Sequence, residues 1–263
     1  LSDGIACSGF IWKYLWDSLA QQLAVAHYHY RGHGRSAAPP NPRSITLSDV
    51  VDDLDAVRAS FAGERVVLVG HSMGCQVALE GYRRDPDRVA ALVLVCGASG
   101  RITYTFRNTT ILAQALPRVL EQVEAHPHVA RALWSRVDPD LALKLAFRLG
   151  EVDARAFAED LRPYLEHMSD LDLGLYLRLL QSAGEHSAAD LLPSIRCPVL
   201  VVAAERDAFT PPHLAEEMAA AIPGAELCMV KGGTHALPIE QRELVVERVA
   251  AFLRDRVSLP LPG

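Results

Sequence analysis

A serine, an aspartate and a histidine, each following a short apolar run, could together make an alcohol reactive. Gly70-His71-Ser72-Met73-Gly74 stands directly after Val66–Val69 and leads into a helical pattern from Cys75 to Tyr82. Glycines two residues before and two after the serine permit a sharp strand-to-helix turn, because a Cβ at either place would clash. Such a nucleophile elbow holds the serine in strained backbone geometry. It exposes the hydroxyl at the strand tip and points the amide of Met73 into the site. The plainer alternative is a tight turn with an inert serine.

A serine hydroxyl is a weak nucleophile at neutral pH. It needs a base within hydrogen-bond reach, and the base needs an orienting partner. His235, in Gly232-Gly233-Thr234-His235, follows the apolar run Ala225–Val230 and is the expected base. Asp207, in Ala204-Glu205-Arg206-Asp207, follows Val199–Ala203 and is the favoured orienting acid, with Glu205 as its rival. All three groups then sit at the carboxyl ends of strands. Rate should rise with pH as the imidazole becomes neutral.

The elements that must position these groups are legible as a rhythm. Apolar runs at Leu23–Ala26, Val66–Val69, Ala90–Val95, Val199–Ala203 and Ala225–Val230 read as strands, several of them valine-rich and apolar on both faces as in a sheet covered on both sides. Helical stripes lie between them. One is Ile11, Leu15, Leu19 and Leu23. Another is Leu47, Val50, Val51, Leu54, Val57 and Phe61, opened by a Thr46/Asp49 capping box. Thr210 before Pro211 and Pro212 reads as a helix N-cap, with Leu214, Met218 and Ile222 following at helical spacing. Val245, Val249 and Phe252 or Leu253 mark a last helix. The alternation predicts an α/β fold with a doubly wound, mostly parallel sheet.

The rhythm breaks between residues 101 and 192, which show helical periodicity and no convincing strand. Stripes fall at Leu112, Leu116 and Leu120, at Leu141, Leu145 and Leu149 before Gly150, and at Leu171, Leu175 and Leu179. The expected division is a core of residues 1–100 and 193–263, with 101–192 inserted as a helical lid. Tyr104, Phe106, Trp134, Phe147 and Tyr176 could line an acyl pocket there, or simply pack a core.

From Ser2 to about Ser258 the chain resembles an α/β-hydrolase with a helical cap, of the esterase, haloperoxidase and lactonase-like kind. The residues that carry the resemblance are Asp3-Gly4, Arg31-Gly32-His33-Gly34-Arg35-Ser36, the elbow around Ser72, Asp207 with Thr210-Pro211, and Gly233-Thr234-His235. The chain order Ser72, Asp207, His235 is that family's order. The resemblance implies Ser72 as nucleophile, His235 as general base and acid, and Asp207 as orienting acid. It also implies an oxyanion hole from the amides of Met73 and Ile5. Two departures stand out. Asp3-Gly4 replaces the usual His-Gly, and the two or three strands usual upstream are missing, so the natural protein is expected to be longer. An intact mass matching this chain would refute that.

Composition bounds the alternatives. Half of the 263 residues are hydrophobic and 22% charged, which excludes a disordered or fibrous chain. No run is long and apolar enough to suggest a spanning helix. A formal net charge of −6 without a basic tract argues against nucleic-acid binding. Cys7, Cys75, Cys96, Cys197 and Cys228 are scattered and form no C-x-x-C, as expected of reduced thiols in the cytoplasm. No signal peptide is visible. His27, His29 and His33 lack the acidic or cysteine partner that a metal site would need, so no metal or other cofactor is expected.

The leading expectation is a serine hydrolase acting on a small carboxylic ester or lactone through an acyl-enzyme on Ser72. Its partner is a small-molecule acyl substrate, with no nucleic acid and no membrane, and a homo-oligomer left open. The same triad would serve a C–C bond hydrolase, a thioesterase, an amidase or a perhydrolase. A non-catalytic small-ligand receptor is the reading from another class.

Overall fold

A computed structural model of the chain describes residues 1–61, 65–153 and 155–257. Helices α1 (Lys13–Leu19) and α2 (Leu47–Ala59) precede strand β1 (Val66–His71). Helix α3 (Met73–Arg84) joins β1 to β2 (Val89–Val95). Helices α4 (Ile102–Thr105), α5 (Ile111–Ala125), α6 (Pro127–Trp134), α7 (Pro139–Leu149), α8 (Ala158–Asp170) and α9 (Leu173–Glu185) then run to β3 (Val199–Ala204). Helix α10 (Pro212–Ala221), strand β4 (Glu226–Val230), α11 (Leu237–Glu240) and α12 (Arg242–Arg256) complete the order.

The strands form one sheet in the order β1-β2-β3-β4, and every pairing is parallel. Parallel neighbours need crossovers, and the helices cover both faces. Strand β2 is buried at every position. Its Leu92 and Leu94 enter one core layer with Leu68, Val201 and Ala203, under α2, α3 and α10. Its Ala91, Val93 and Val95 enter the other with Val69, Leu200 and Val202, under α1 and α12. The two-residue period of a strand thus divides one apolar run between two cores. The capping box at α2 is present: the Asp49 amide donates to the Thr46 hydroxyl, and the Thr46 amide to the Asp49 carboxylate at 2.8 Å.

Leu23–Ala26 is not a strand. Residues 23–30 join no ladder among the described residues. Their side chains still alternate, with His27 against His29 and Tyr28 against Tyr30. Single bonds replace a ladder: the Leu1 ammonium donates to the Ala26 carbonyl at 2.7 Å, and the Tyr30 hydroxyl to the Asp3 carbonyl at 2.8 Å. On the other side, Ser2 adds a parallel bridge to Gly70 at the edge of β1.

Between β2 and β3 the described residues form helices and the loops that join them, with no strand longer than a single bridge. An antiparallel bridge between Gly100 and Ser187 draws the two ends of this segment together. Leu175 and Leu179 of α9 pack into the first core layer, while Leu116, Leu120 and Leu177 form a cluster of their own. Helix α7 ends at Gly150 as its sequence predicts, in a left-handed cap. Its leucine stripe, however, faces water: Leu141, Leu145 and Leu149 are 65%, 51% and 59% exposed, and Leu143 is the buried one.

Candidate active site

Because the four strands are parallel, their carboxyl ends share one edge, and the residues singled out from the sequence follow β1, β3 and β4 there. Ser72 caps α3 with φ 56° and ψ −121°, a left-handed backbone that a side chain adopts only under constraint. Its amide donates to the Val95 carbonyl at 3.0 Å, and its carbonyl accepts from the Cys75 amide at 3.0 Å. The flanking glycines are required by close approach. A Cβ on Gly70 would stand 2.2 Å from the Gly74 carbonyl oxygen, and one on Gly74 would meet the Ser2 carbonyl at 2.2 Å. Gly74 therefore makes room for the chain at Ser2-Asp3, not for Gly70 alone.

His235 and Asp207 meet. The imidazole Nδ1 lies 2.8 Å from Asp207 Oδ2 and 3.0 Å from Oδ1. A carboxylate only accepts, so Nδ1 carries a proton, and in the neutral imidazole the lone pair that a general base requires is then on Nε2. Asp207 is buried and accepts from its own turn: the amides of Phe209 and Thr210 donate to Oδ1 at 2.9 and 2.8 Å, and the Thr210 hydroxyl to Oδ2 at 2.8 Å. Burial pushes the carboxyl's pKa up. The charge and hydrogen bond of His235, with the Thr210 bonds, outweigh it and hold Asp207 below its ordinary value. Thr210 is thus a partner of Asp207. It is not the N-cap of α10, whose cap residue is Pro211 without a side-chain bond. Glu205 turns away from His235 and accepts from the Gly232 amide at 3.0 Å.

Ser72 is 8% exposed. No hydrogen bond joins its hydroxyl to His235 among the described residues. Such bonds are commonly long before substrate arrives and close in the reacting complex. Met73 opens α3, so its amide has no carbonyl of its own helix to reach. Gly4 abuts the elbow: a Cβ there would lie 3.1 Å from Ser72 Cβ and 3.1 Å from His71 Nδ1. Ile5, next in the chain, packs partly buried against the first core layer.

Several neighbours of the site carry no signal in a single sequence. His71 is buried, and its Nε2 donates to the His235 carbonyl at 2.9 Å. The Phe209 ring stands 4.9 Å from the His235 ring, with Phe106 5.2 Å beyond it. Of the other aromatics of the helical segment, Trp134 stacks on Tyr176 at 6.4 Å, Phe147 packs against the second core layer, and Tyr104 is exposed. Trp12 is buried and meets His71 edge-on at 6.1 Å.

The three histidines of the His27–His33 segment each have a hydrogen-bond partner of their own. His27 bonds Asp3 at 2.8 Å, and His29 Nδ1 accepts from the Arg35 amide at 2.9 Å. His33 Nδ1 donates to the Arg31 carbonyl at 3.2 Å. Among the described residues no three His, Cys, Asp or Glu side chains converge as metal ligands would, and no helix is long and apolar enough to cross a membrane. Two cavities of about 690 and 500 Å³ lie elsewhere. One sits beside Arg65, Tyr82 and Cys197 and the other beside Arg131, Trp134 and Arg178, and the triad lines neither.

Comparison with known proteins gives the same frame. The chain is 27% identical over 256 residues to a protein named putative carbamate hydrolase RutD from Rhizobium rhizogenes, covering 97% of this chain and 92% of that one. The protein of that name from Klebsiella pneumoniae is also 27% identical, over 262 residues, covering 100% and 91%. An esterase from Thermogutta terrifontis superposes with a TM-score of 0.74 at 24% identity, covering 98% of this chain and 89% of that one. The enol-lactonase from Burkholderia xenovorans gives 0.69 at 20%, covering 97% and 90%. At these identities the two structures speak for the fold. The model of the alpha/beta hydrolase family matches residues 4–248. A match of that length, with hydrolases among the relatives it brings, means that this chain is an enzyme of hydrolase type and belongs to the alpha/beta hydrolase family.

Proposed function

We propose that the chain is a serine hydrolase that cleaves a small carboxylic ester or lactone through an acyl-enzyme on Ser72. The observation that carries the reading is the Asp207–His235 pair, 2.8 Å apart, with no partner on His235 Nε2 among the described residues, at the strand edge where Ser72 follows β1. Ser72 Oγ attacks the carbonyl carbon while His235 Nε2 takes its proton. The oxyanion is held by the amides of Ile5 and Met73, each such donor contributing about 3–4 kcal/mol to the transition state. The imidazolium then protonates the leaving oxygen. Water, deprotonated by His235, releases the acid and frees Ser72. Residues 101–192 act as a lid, and Phe209 with Phe106 forms an apolar wall beside the base that suits a compact acyl group. Five free cysteines support a reducing, cytoplasmic setting.

A second reading has its own support. Two relatives at 27% identity carry the name putative carbamate hydrolase. A carbamate ester presents the same carbonyl to Ser72, and attack on it would expel the alcohol, protonated by His235, and leave a carbamoyl-enzyme for water to hydrolyse.

A fluorophosphonate probe with peptide mapping tests the nucleophile. Labelling at Ser72, lost in Ser72→Ala, is expected; a folded protein that never labels points instead to a receptor. A chain-length series of chromogenic esters, run beside lactones and a carbamate, then separates the substrate classes. Turnover of the carbamate alone would replace the first reading with the second.

A further inference from the structure

The loop that carries His235 is fastened by a residue outside the triad. Glu240, in α11, is 4% exposed. Its carboxylate accepts from the Thr234 amide at 2.8 Å, from the Asp153 amide at 2.8 Å and from the Thr234 hydroxyl. Thr234 immediately precedes His235. Asp153 belongs to the other partner, the helical segment between β2 and β3, just beyond the end of α7. One buried carboxylate therefore joins the loop of the base to the segment proposed as the lid. Shorter ties run alongside. The Arg155 guanidinium donates to the Gly232 carbonyl at 2.8 Å and to the Asp153 carboxylate at 2.7 Å. The Arg206 amide donates to the Gly233 carbonyl at 2.9 Å.

We propose that Glu240 is a positioning residue for His235: it ties the loop of the general base to the helical segment at Asp153, so that the imidazole keeps its place on Asp207 while that segment is docked. The proposal rests on the serine-hydrolase reading. His235 is then held from both sides, with His71 gripping its own carbonyl and Glu240 gripping the residue before it. The chemistry of the donors explains why the group is a carboxylate. Two N–H groups and one hydroxyl converge on its two oxygens, and only an acceptor at both positions satisfies them. A glutamine amide in either orientation sets its NH₂ against one of the two backbone N–H groups, leaving a buried donor unpaired.

The experiment is the rate of fluorophosphonate labelling at Ser72 across pH, in the full chain and in Glu240→Gln. The reagent reports how well the base activates the serine and needs no knowledge of the natural substrate. The wild type should label. Glu240→Gln should label about tenfold more slowly or worse at neutral pH, because a base displaced by a fraction of an ångström loses that much. Its pH profile should change with the rate, because the imidazole no longer keeps its place on Asp207. Thr234→Val removes only the hydroxyl bond and should slow labelling by about threefold. It carries the same test if Glu240→Gln fails to fold. A merely structural Glu240 would lower the melting temperature and leave both the rate and the shape of the pH profile unchanged in the folded variant, and that result overturns the proposal alone. A wild type that does not label removes the serine-hydrolase reading, and this proposal with it.

Discussion

His71 Nε2 donates a 2.9 Å hydrogen bond to the backbone carbonyl of His235, with the two rings 4.9 Å apart. The bond ties the elbow of the nucleophile to the loop of the base. Burial, and then the like charge of His235, lower the His71 pKa to about 3. It is therefore neutral at working pH and carries its one proton on the nitrogen that faces the carbonyl. His71→Gln can keep an N–H donor near that place and should retain activity within about threefold. His71→Leu keeps bulk and loses the donor, leaving a buried carbonyl unpaired, and should reduce kcat by about tenfold or more with little change in KM. Equal activity of the two variants on a chromogenic ester would show that the bond does not position the base.

Asp207 is set by its turn as well as by His235. Three of the hydrogen bonds it accepts come from Phe209 and Thr210, two and three residues along the chain. Asp207→Asn would present an NH₂ where the imidazole offers its own N–H and favour the wrong tautomer, so kcat should fall about 10²–10⁴-fold. Thr210→Val removes one bond to Oδ2 and leaves the charge, so the loss should be nearer threefold to tenfold. Comparable losses in the two variants would mean that the carboxylate's charge is secondary to its placement.

Much of this arrangement is readable from residue order, and the exceptions have physical reasons. The elbow is legible because Gly70 is demanded by backbone approach four residues away, at Gly74, and Gly74 keeps the spacing of the turn although the backbone it admits is that of Ser2 and Asp3. The acid and base are legible because parallel strands deliver the residues after β3 and β4 to one edge. Residues 23–30 have the alternation of a strand, but a strand also needs a paired neighbour, which no local pattern reports. Thr210 carries two local meanings, cap or carboxylate partner, and the nearness of Asp207 decides between them. His71, Phe209 and Glu240 gain their roles from contacts with residues 164, 26 and 6 positions away, and only the folded chain brings these together.

Acid should unfold the protein earlier than its carboxylates alone require. His33 and His71 are buried, and burial is the first cause of both low values, about 4 and about 3 against an ordinary 6.5. As pH falls below 6.5, the unfolded chain takes up these protons before the folded one does. The stability these groups contribute is therefore complete above pH 6.5. It is lost progressively down to about pH 4 for His33 and pH 3 for His71. Asp207 has the opposite chemistry and a lower window: its depressed carboxyl contributes above its unfolded value of 3.8 and fades below that. Between pH 6.5 and 4 these two histidines should add up to two protons to the slope of urea unfolding against pH, about 2.7 kcal/mol per pH unit at the limit. His33→Asn keeps a donor for the Arg31 carbonyl and should remove about half of that added slope. An unchanged slope would mean that His33 is not neutral in the folded protein.

Helix α7 offers two leucine faces, and the fold uses the one that the four-residue stripe does not mark. Leu141, Leu145 and Leu149 repeat at four-residue steps, but so do Leu143 and Phe147, and these two pack against the second core layer with Ala156 and Leu161. A helix apolar on both sides gives no preference from periodicity alone; the partner surface chooses. The choice is open to measurement. Leu143→Ala should destabilise the chain by about 2–4 kcal/mol through lost burial and the cavity left behind. Leu145→Gln replaces a side chain already half in water and should change stability by less than about 0.5 kcal/mol. Urea denaturation of the two variants decides the matter. If Leu145→Gln were the costly one, α7 would be rotated about its axis, and the face now exposed would be the face that binds the core.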